Sequence, residues 1–317
     1  MRHLLGITHL QRADVEEILA VADSFAEVTR RSIPKVPALR GRTIVLGFFE
    51  DSTRTRVSFE TAAKRLSADT VSFSSSGTSV SKGESLRDTA LTLQAIGADC
   101  LVVRHASSGA PWQLARWLER TCVVNAGDGA HEHPTQALLD CWTLTRKLGP
   151  LDGMHLVIVG DVAHSRVARS NVAAFTLLGA DVTVVAPRTL LAADIESWAR
   201  APGSVKTSDD LDRALASADA VYLLRMQLER QHEALVPSLR EYTERFGLTR
   251  RRLDQLAERV AVLHPGPMNR GVEIAPEAAD DPRSLILSQV EAGVNVRMAV
   301  LFLTLGGQHA VEGVAGE

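Results

Sequence analysis

Short runs of Val, Ile and Leu that do not alternate polar with apolar residues recur along the chain, at residues 43–49, 70–73, 100–103, 122–125, 155–159, 182–185, 220–224 and 260–263. A strand with one wet face shows a polar residue at every second position. These runs do not, so they belong in parallel sheets covered on both faces. Parallel strands need long crossovers, and stretches with helical character lie between the runs, at 13–31, 55–66, 85–96, 112–120, 135–148, 166–178, 190–200 and 211–217. The predicted class is α/β, each sheet mainly parallel and flanked by helices.

The helical period stops at Leu148-Gly149-Pro150-Leu151-Asp152-Gly153 and a new strand starts at His155, which marks a domain boundary close by. With 317 residues, 45% of them hydrophobic, the chain is long enough to build two cores. A last helix over 289–305, apolar along Val294, Met298, Leu301 and Leu305, has no strand after it and is expected to return to the first domain. The formal net charge of −3 excludes a global basic field of the kind that draws a protein to nucleic acid or an anionic membrane. No stretch approaches the roughly 18 apolar residues of a membrane span, and the start, Met1-Arg2-His3-Leu4-Leu5-Gly6, has no leader-like apolar core. Arg250-Arg251-Arg252 shares a segment with Leu248, Leu253 and Leu256 and is expected on a solvated helix surface. Cys100, Cys122 and Cys141 lie in or beside apolar segments without paired or metal-like spacing; reduced packing thiols and a cytoplasmic location are the expectation.

The chemistry concentrates after the strands. Ser52-Thr53-Arg54-Thr55-Arg56 opens a helix directly behind the run at 43–49. A helix start leaves amide donors unpaired and carries partial positive charge, and Arg grips an oxyanion with two parallel hydrogen bonds. The plainer reading is a Ser or Thr cap on a helix with exposed arginines. Open parallel sheets bind ligands beyond the carboxyl ends of their strands. The other strand ends carry Arg104-His105, Gly127-Asp128-Gly129 followed by His133-Pro134-Thr135-Gln136, Gly160-Asp161 with Arg166, Arg225-Met226-Gln227, and His264-Pro265-Gly266-Pro267. Cations gathered in one cleft are unfavourable unless an anion neutralises them, so the substrates are anionic. His131-Glu132-His133 lacks a third clear ligand, and neither a metal nor a cofactor is predicted. A nicotinamide-dependent dehydrogenase is disfavoured because Asp161-Val162-Ala163-His164-Ser165 follows Gly160 and breaks G-x-G-x-x-G. A non-catalytic anion binder is the other rival.

Together these motifs resemble the transcarbamylases, the aspartate/ornithine carbamoyltransferase family, over essentially the whole chain. Phe48 to Glu60, with Ser52-Thr53-Arg54-Thr55-Arg56 at its centre, looks like the family's carbamoyl phosphate signature. Ser79-Val80-Ser81-Lys82-Gly83-Glu84-Ser85 resembles the loop that enters a neighbouring subunit's active site, and Asn125 to Gly129 with His133 to Gln136 is shared across the family. Arg225-Met226-Gln227 with Glu229-Arg230 resembles the aspartate branch, and the His-Cys-Leu-Pro string of ornithine enzymes is absent. Gly266 departs from the leucine common in the aspartate branch.

The resemblance implies transfer of the carbamoyl group of carbamoyl phosphate to the amino group of L-aspartate, a step of pyrimidine biosynthesis, with ornithine as the alternative acceptor. It implies a carbamoyl phosphate domain of residues 1–133 plus 290–317 and an aspartate domain of residues 134–289. Carbamoyl phosphate would be held by Ser52, Thr53, Arg54, Thr55, Ser79, Arg104, His133, Gln136, Gly266 and Pro267. Arg54, Thr55, Lys82, Arg104 and His133 would be catalytic, and Lys82, Arg166, Arg225 and Gln227 would bind aspartate. Glu50 is expected to pair with Arg166 on closure. The implied assembly is a trimer with shared sites, leaving room for a regulatory chain or pathway enzyme, although no docking segment stands out.

Overall fold

The computed structural model describes residues 1–74, 83–227 and 235–306. Its contacts divide the chain into two compact units, Met1–Trp142 with the chain from Glu291, and Thr143–Val290. The divisions fall inside continuous helices, where no break in composition marks them.

The first unit runs α1 (Arg12–Thr29), β1 (Thr43–Phe48), α2 (Thr53–Arg65), β2 (Asp69–Ser74), α3 (Leu86–Ile96), β3 (Cys100–His105), α4 (Ala110–Trp117) and β4 (Cys122–Asp128), and enters α5 (Pro134–Leu148). Its strands are parallel in the order β2-β1-β3-β4, with Ile44 opposite Thr70 on one side and Cys100 on the other. β1 and β3 are buried over most of their length, as unalternated apolar runs require. Val45, Leu101, Val103 and Val123 pack with Leu114 and Leu118 under one face of the sheet.

The second unit runs β5 (His155–Val159), α6 (Arg166–Leu177), β6 (Asp181–Val185), β7 (Ser204–Ser208), α7 (Leu211–Leu215), β8 (Ala220–Leu223), α8 (Leu239–Phe246), α9 (Arg250–Gln255), β9 (Ala261–Leu263) and α10 (Pro276–Ala279). Its sheet is again parallel, in the order β7-β6-β5-β8-β9. The chain winds outward in one direction from β1 and the other from β3, and likewise from β5 and β8. Crevices open at the carboxyl ends of strands where this reversal occurs.

The final helix, α11 (Ile286–Thr304), packs on the first unit as expected: Phe302 meets Phe25 edge to face at 5.7 Å, and the Cys122 thiol donates to the Thr304 carbonyl at 3.2 Å. It is long and apolar enough to cross a membrane by composition, contrary to the sequence expectation, but its apolar window is 61% buried, as in the core helix of a globular protein. The cysteines are free, and burial pushes the Cys100 and Cys141 thiols well above their ordinary range.

Several local expectations are corrected. No helix spans 190–200; two short 3₁₀ turns, Arg188–Leu190 and Ile195–Trp198, stand there. Leu190 and Ile195 are both buried, yet five residues apart they would lie about 140° apart around one helix. Strand β7 escaped notice because Ser-Val-Lys-Thr-Ser is an exposed edge with a single apolar residue. Arg252 is buried rather than solvated, with its Nε 2.6 Å from Asp212 and Nη1 donating to the Gly247 carbonyl at 2.7 Å.

Candidate active site

In the first unit, β1 ends at Phe48 and the chain turns through Phe49, Glu50 and Asp51 into α2. Ser52 stands at the N-cap with extended backbone, yet its side chain makes no capping hydrogen bond and the first turn carries no acid. The plain capping explanation therefore fails at this serine. The first-turn amides of a helix have no acceptor within the helix and are anion donors in general. Thr53 and Arg54 are exposed and Thr55 is buried, so hydroxyl and guanidinium donors surround those amides.

Arg104 is the penultimate residue of β3, directly beside β1 across the reversal of strand order, in register with Phe48. Its Nε lies 3.3 Å from Glu50 Oε2, and Nη1 donates to the Ala126 carbonyl at 3.4 Å. The Phe49 amide donates to the Arg104 carbonyl at 2.9 Å, tying the β1–α2 turn to the neighbouring strand end. Glu50, expected to answer Arg166, thus has a charge partner within its own unit.

After β4, Asp128 organises the turn that delivers His133. It accepts from Gly109 N at 2.7 Å, Asn125 Nδ2 at 2.8 Å and Glu132 N at 3.1 Å, and its Oδ2 is 3.0 Å from His131 Nδ1. Gly127, at φ 116°, has the left-handed backbone this turn needs. The buried Glu132 accepts from Ile7 N at 2.6 Å and Thr8 Oγ1 at 2.9 Å, so the His-Glu-His string anchors the amino-terminal segment to the loop. His133 is buried before α5, and its carbonyl accepts from Gln136 N at 3.0 Å. The Gln136 side chain donates through Nε2 to Asp140 Oδ1 at 3.0 Å. Burial holds His105 below the ordinary histidine range against the opposing pull of Glu50 and Asp128.

The second unit presents its residues at the ends of β5, β8 and β9. Arg166 is buried at the first position of α6, whose N-cap Ser165 accepts from Ala168 N at 3.1 Å. Buried Asp161 lies 2.7 Å from His164 Nδ1 and accepts from Gln227 N at 3.4 Å, while Gln227 Nε2 donates to the His164 carbonyl at 3.3 Å. Gln227 is thereby tied to the loop that carries Arg166.

At β9, the Gly266 amide donates to His264 Nδ1 at 2.8 Å, so the ring proton sits on Nε2 and points to Glu273 Oε1 at 3.1 Å. That same oxygen accepts from Asn269 N at 2.6 Å, and Asn269 Nδ2 donates to the Met226 carbonyl at 3.2 Å. Gly266 adopts φ 62°, which glycine takes without steric cost and leucine does not. Burial, with the nearby Glu273 and Asp161, pushes the Tyr242 hydroxyl far above its ordinary range.

The first unit therefore gathers Ser52, Thr53, Arg54, Thr55, Arg104, His133 and Gln136 along its sheet edge, and the second gathers Arg166, Arg225, Gln227, Gly266 and Pro267 along its own. Ser79, Lys82, Glu229 and Arg230 lie outside the described residues. Sequence reasoning missed Glu132, Asp140, Asp161 and Glu273 as supports, because burial and tertiary partners, not a local motif, give them that role.

The carbamoyl-P binding domain of aspartate/ornithine carbamoyltransferase matches residues 2–146, and the Asp/Orn binding domain matches residues 152–304. The chain belongs to the aspartate/ornithine carbamoyltransferase family. It is 59% identical to the aspartate carbamoyltransferase catalytic subunit of Acidothermus cellulolyticus, over 100% of this chain and 97% of that protein. It is 54% identical to the catalytic subunit of Thermobifida fusca, over 100% and 99%. Among solved structures, aspartate transcarbamoylase of Trypanosoma cruzi in complex with carbamoyl phosphate and aspartate matches with TM-score 0.85 and 29% identity, over 95% of this chain and 96% of that chain. The catalytic subunit of M. jannaschii aspartate transcarbamoylase matches with TM-score 0.83 and 32% identity over 100% of both chains.

Proposed function

We propose that the chain is an aspartate carbamoyltransferase, which transfers the carbamoyl group of carbamoyl phosphate to the amino group of L-aspartate and yields N-carbamoyl-L-aspartate and phosphate. The observation that carries this reading is full-length likeness, at 54% to 59% identity, to aspartate carbamoyltransferase catalytic subunits. Ornithine is the less favoured acceptor.

The neutral amine attacks the carbonyl carbon; the new N–C bond forms, the C–O bond to phosphate breaks, and the amine proton passes to the departing phosphate. No dedicated protein base is needed. The amides and hydroxyls at the start of α2, with Arg54, take the negative charge that builds on the leaving group. Thr55, Arg104 and His133 donate to the carbonyl oxygen as it becomes an oxyanion. Gln136 and the carbonyls of Gly266 and Pro267 orient the carbamoyl amide. Arg166 and Arg225, assisted by Gln227, hold the two carboxylates of aspartate, and much of the rate comes from fixing both reactants together.

The same reading includes Ser79 and Lys82 reaching the site from an adjacent chain of a homotrimer, a cytoplasmic location and a place in pyrimidine biosynthesis. Buried free thiols support the location, and the family likeness supports the rest. The test is carbamoylation by the purified protein with L-aspartate or L-ornithine, counting ureido product and phosphate. Product with aspartate alone is expected; product with ornithine alone, or phosphate without ureido product, overturns the assignment. Sedimentation of the same preparation tests the trimer.

A further inference from the structure

Asp140 is fully buried one helical turn beyond Gln136 on α5, and the reaction chemistry gives it no role. Its Oδ1 accepts from Gln136 Nε2 at 3.0 Å. In the same interior lies the Arg297 guanidinium of α11, over the Phe59 ring at 5.1 Å. Burial pulls the Arg297 pKa down to about 10 and the Asp140 charge opposes that pull, so Arg297 remains a cation at neutral pH and Asp140 is its counter-charge.

A carboxylate accepts hydrogen bonds and does not donate them. The end of the Gln136 amide that Asp140 holds is therefore the NH₂ end, and the carbonyl Oε1 is the end turned away. Left alone, a glutamine amide presents donor or acceptor with nearly equal ease, since the two ends have the same shape.

We infer that Asp140 is a specificity-determining positioning residue, which fixes Gln136 so that Oε1 accepts a hydrogen bond from the NH₂ group of carbamoyl phosphate and thereby favours a carbamoyl over an acetyl phosphate. The inference rests on the proposed function and deepens it. Acetyl phosphate has the same phosphate, carbonyl and overall shape, with a methyl group in place of NH₂. It offers Oε1 no donor, so binding it removes an acceptor from water without replacement. Arg54 and Arg104 do not distinguish the two ligands, because the atoms they would contact are identical.

The test uses Asp140→Asn in the full chain. Asparagine has the same size but bonds either end of Gln136, so the orientation is released. The KM for carbamoyl phosphate and the inhibition constant of acetyl phosphate are measured by initial rates, and their ratio is the readout. Asp140→Asn should reduce discrimination against acetyl phosphate by about tenfold, the scale of one hydrogen bond, with the KM for aspartate unchanged. A merely structural role would weaken both phosphate ligands alike and leave the ratio as in wild type, which overturns the inference. In a Gln136→Ala background, Asp140→Asn should leave the ratio unmoved; a further fall shows that Asp140 acts by another route. If the single variant fails to fold because Arg297 loses its counter-charge, Asp140→Asn with Arg297→Met removes both buried charges and carries the same expectation. Wild-type protein that binds no carbamoyl phosphate defeats the proposed function itself, whereas active wild type with an unmoved Asp140→Asn ratio defeats only the role of Asp140.

Discussion

The starts of α2 and α6 occupy equivalent places, each following a strand beside the reversal of its sheet, yet they are finished in opposite ways. At α2 the N-cap Ser52 makes no capping bond, and at α6 the N-cap Ser165 accepts from Ala168 N at 3.1 Å. At α2 the cap hydroxyl takes no first-turn amide, whereas at α6 it takes one and Arg166 is buried in that turn. The difference follows from what each unit binds under the proposed reading. A phosphate fits the radial donors of a helix start, whereas an amino acid needs side chains at separate points, held by buried acids such as Asp161 and Glu273.

The strongest way to break this contrast is Arg54→Ala. Arg54 is exposed, so its loss should leave the fold intact. Turnover should fall by on the order of 10²–10³ as the leaving phosphate loses a preorganised partner, with the KM for carbamoyl phosphate rising and the melting temperature unmoved. Initial-rate kinetics beside a thermal melt decides it; a fall below tenfold would show that the amides alone carry the phosphate end.

The second unit should fail differently. Glu273→Ala strips an acceptor from the His264 ring and the Asn269 amide at once. Leaving the buried His264 donor and the half-buried Asn269 amide unmatched should cost about 2–4 kcal/mol of stability, measured by denaturant unfolding, together with a rise in the KM for aspartate. If stability were unchanged, the strand-end loops would hold themselves, and the claimed dependence on buried acids would be wrong.

This division also explains what was legible in the sequence. The proposed phosphate end is one contiguous stretch from Phe48 to Arg56, with hydroxyl and guanidinium donors placed after an apolar run. Both parallel sheets were readable because burial on two faces erases polar alternation in β1, β3 and β5. The supports were not readable. Glu273 meets His264 nine residues away and Asn269 four residues away, and Glu132 reaches Ile7 across 125 positions. Nothing local distinguishes such acids from surface ones. Edge strand β7 and the turns at Arg188–Leu190 and Ile195–Trp198 were lost for a related reason: tertiary anchoring, not periodicity, shapes them.

A smaller pair of substitutions sharpens the comparison of the two helix starts. Ser165→Ala should cost about 1 kcal/mol of stability, the usual loss of an N-cap. Ser52→Ala should cost far less, because its hydroxyl makes no cap bond, and should instead raise the KM for carbamoyl phosphate. Equal stability losses would restore the plain capping explanation of Ser52.

The smallest effect expected is on pH dependence, and it belongs to the first unit. Burial lowers the pKa of His3, with Arg2 assisting, and of His105, where Glu50 and Asp128 oppose it. Both rings also accept a backbone amide at Nδ1, from Val123 at 3.0 Å and Ser107 at 2.9 Å, contacts available to that nitrogen only without a proton. A histidine with a lowered folded-state pKa binds fewer protons folded than unfolded. Its contribution to stability is therefore fully present above the unfolded value near 6.5 and is lost as pH falls through the window below it. Thermal melts of wild type should lose stability from about pH 6.5 downward, and His3→Gln with His105→Gln should flatten that limb without altering the melt at pH 8. An unchanged acid limb would assign the loss to carboxylates such as Asp212, which the Arg252 hydrogen bond holds below the ordinary range and whose contribution disappears at lower pH, in the second unit.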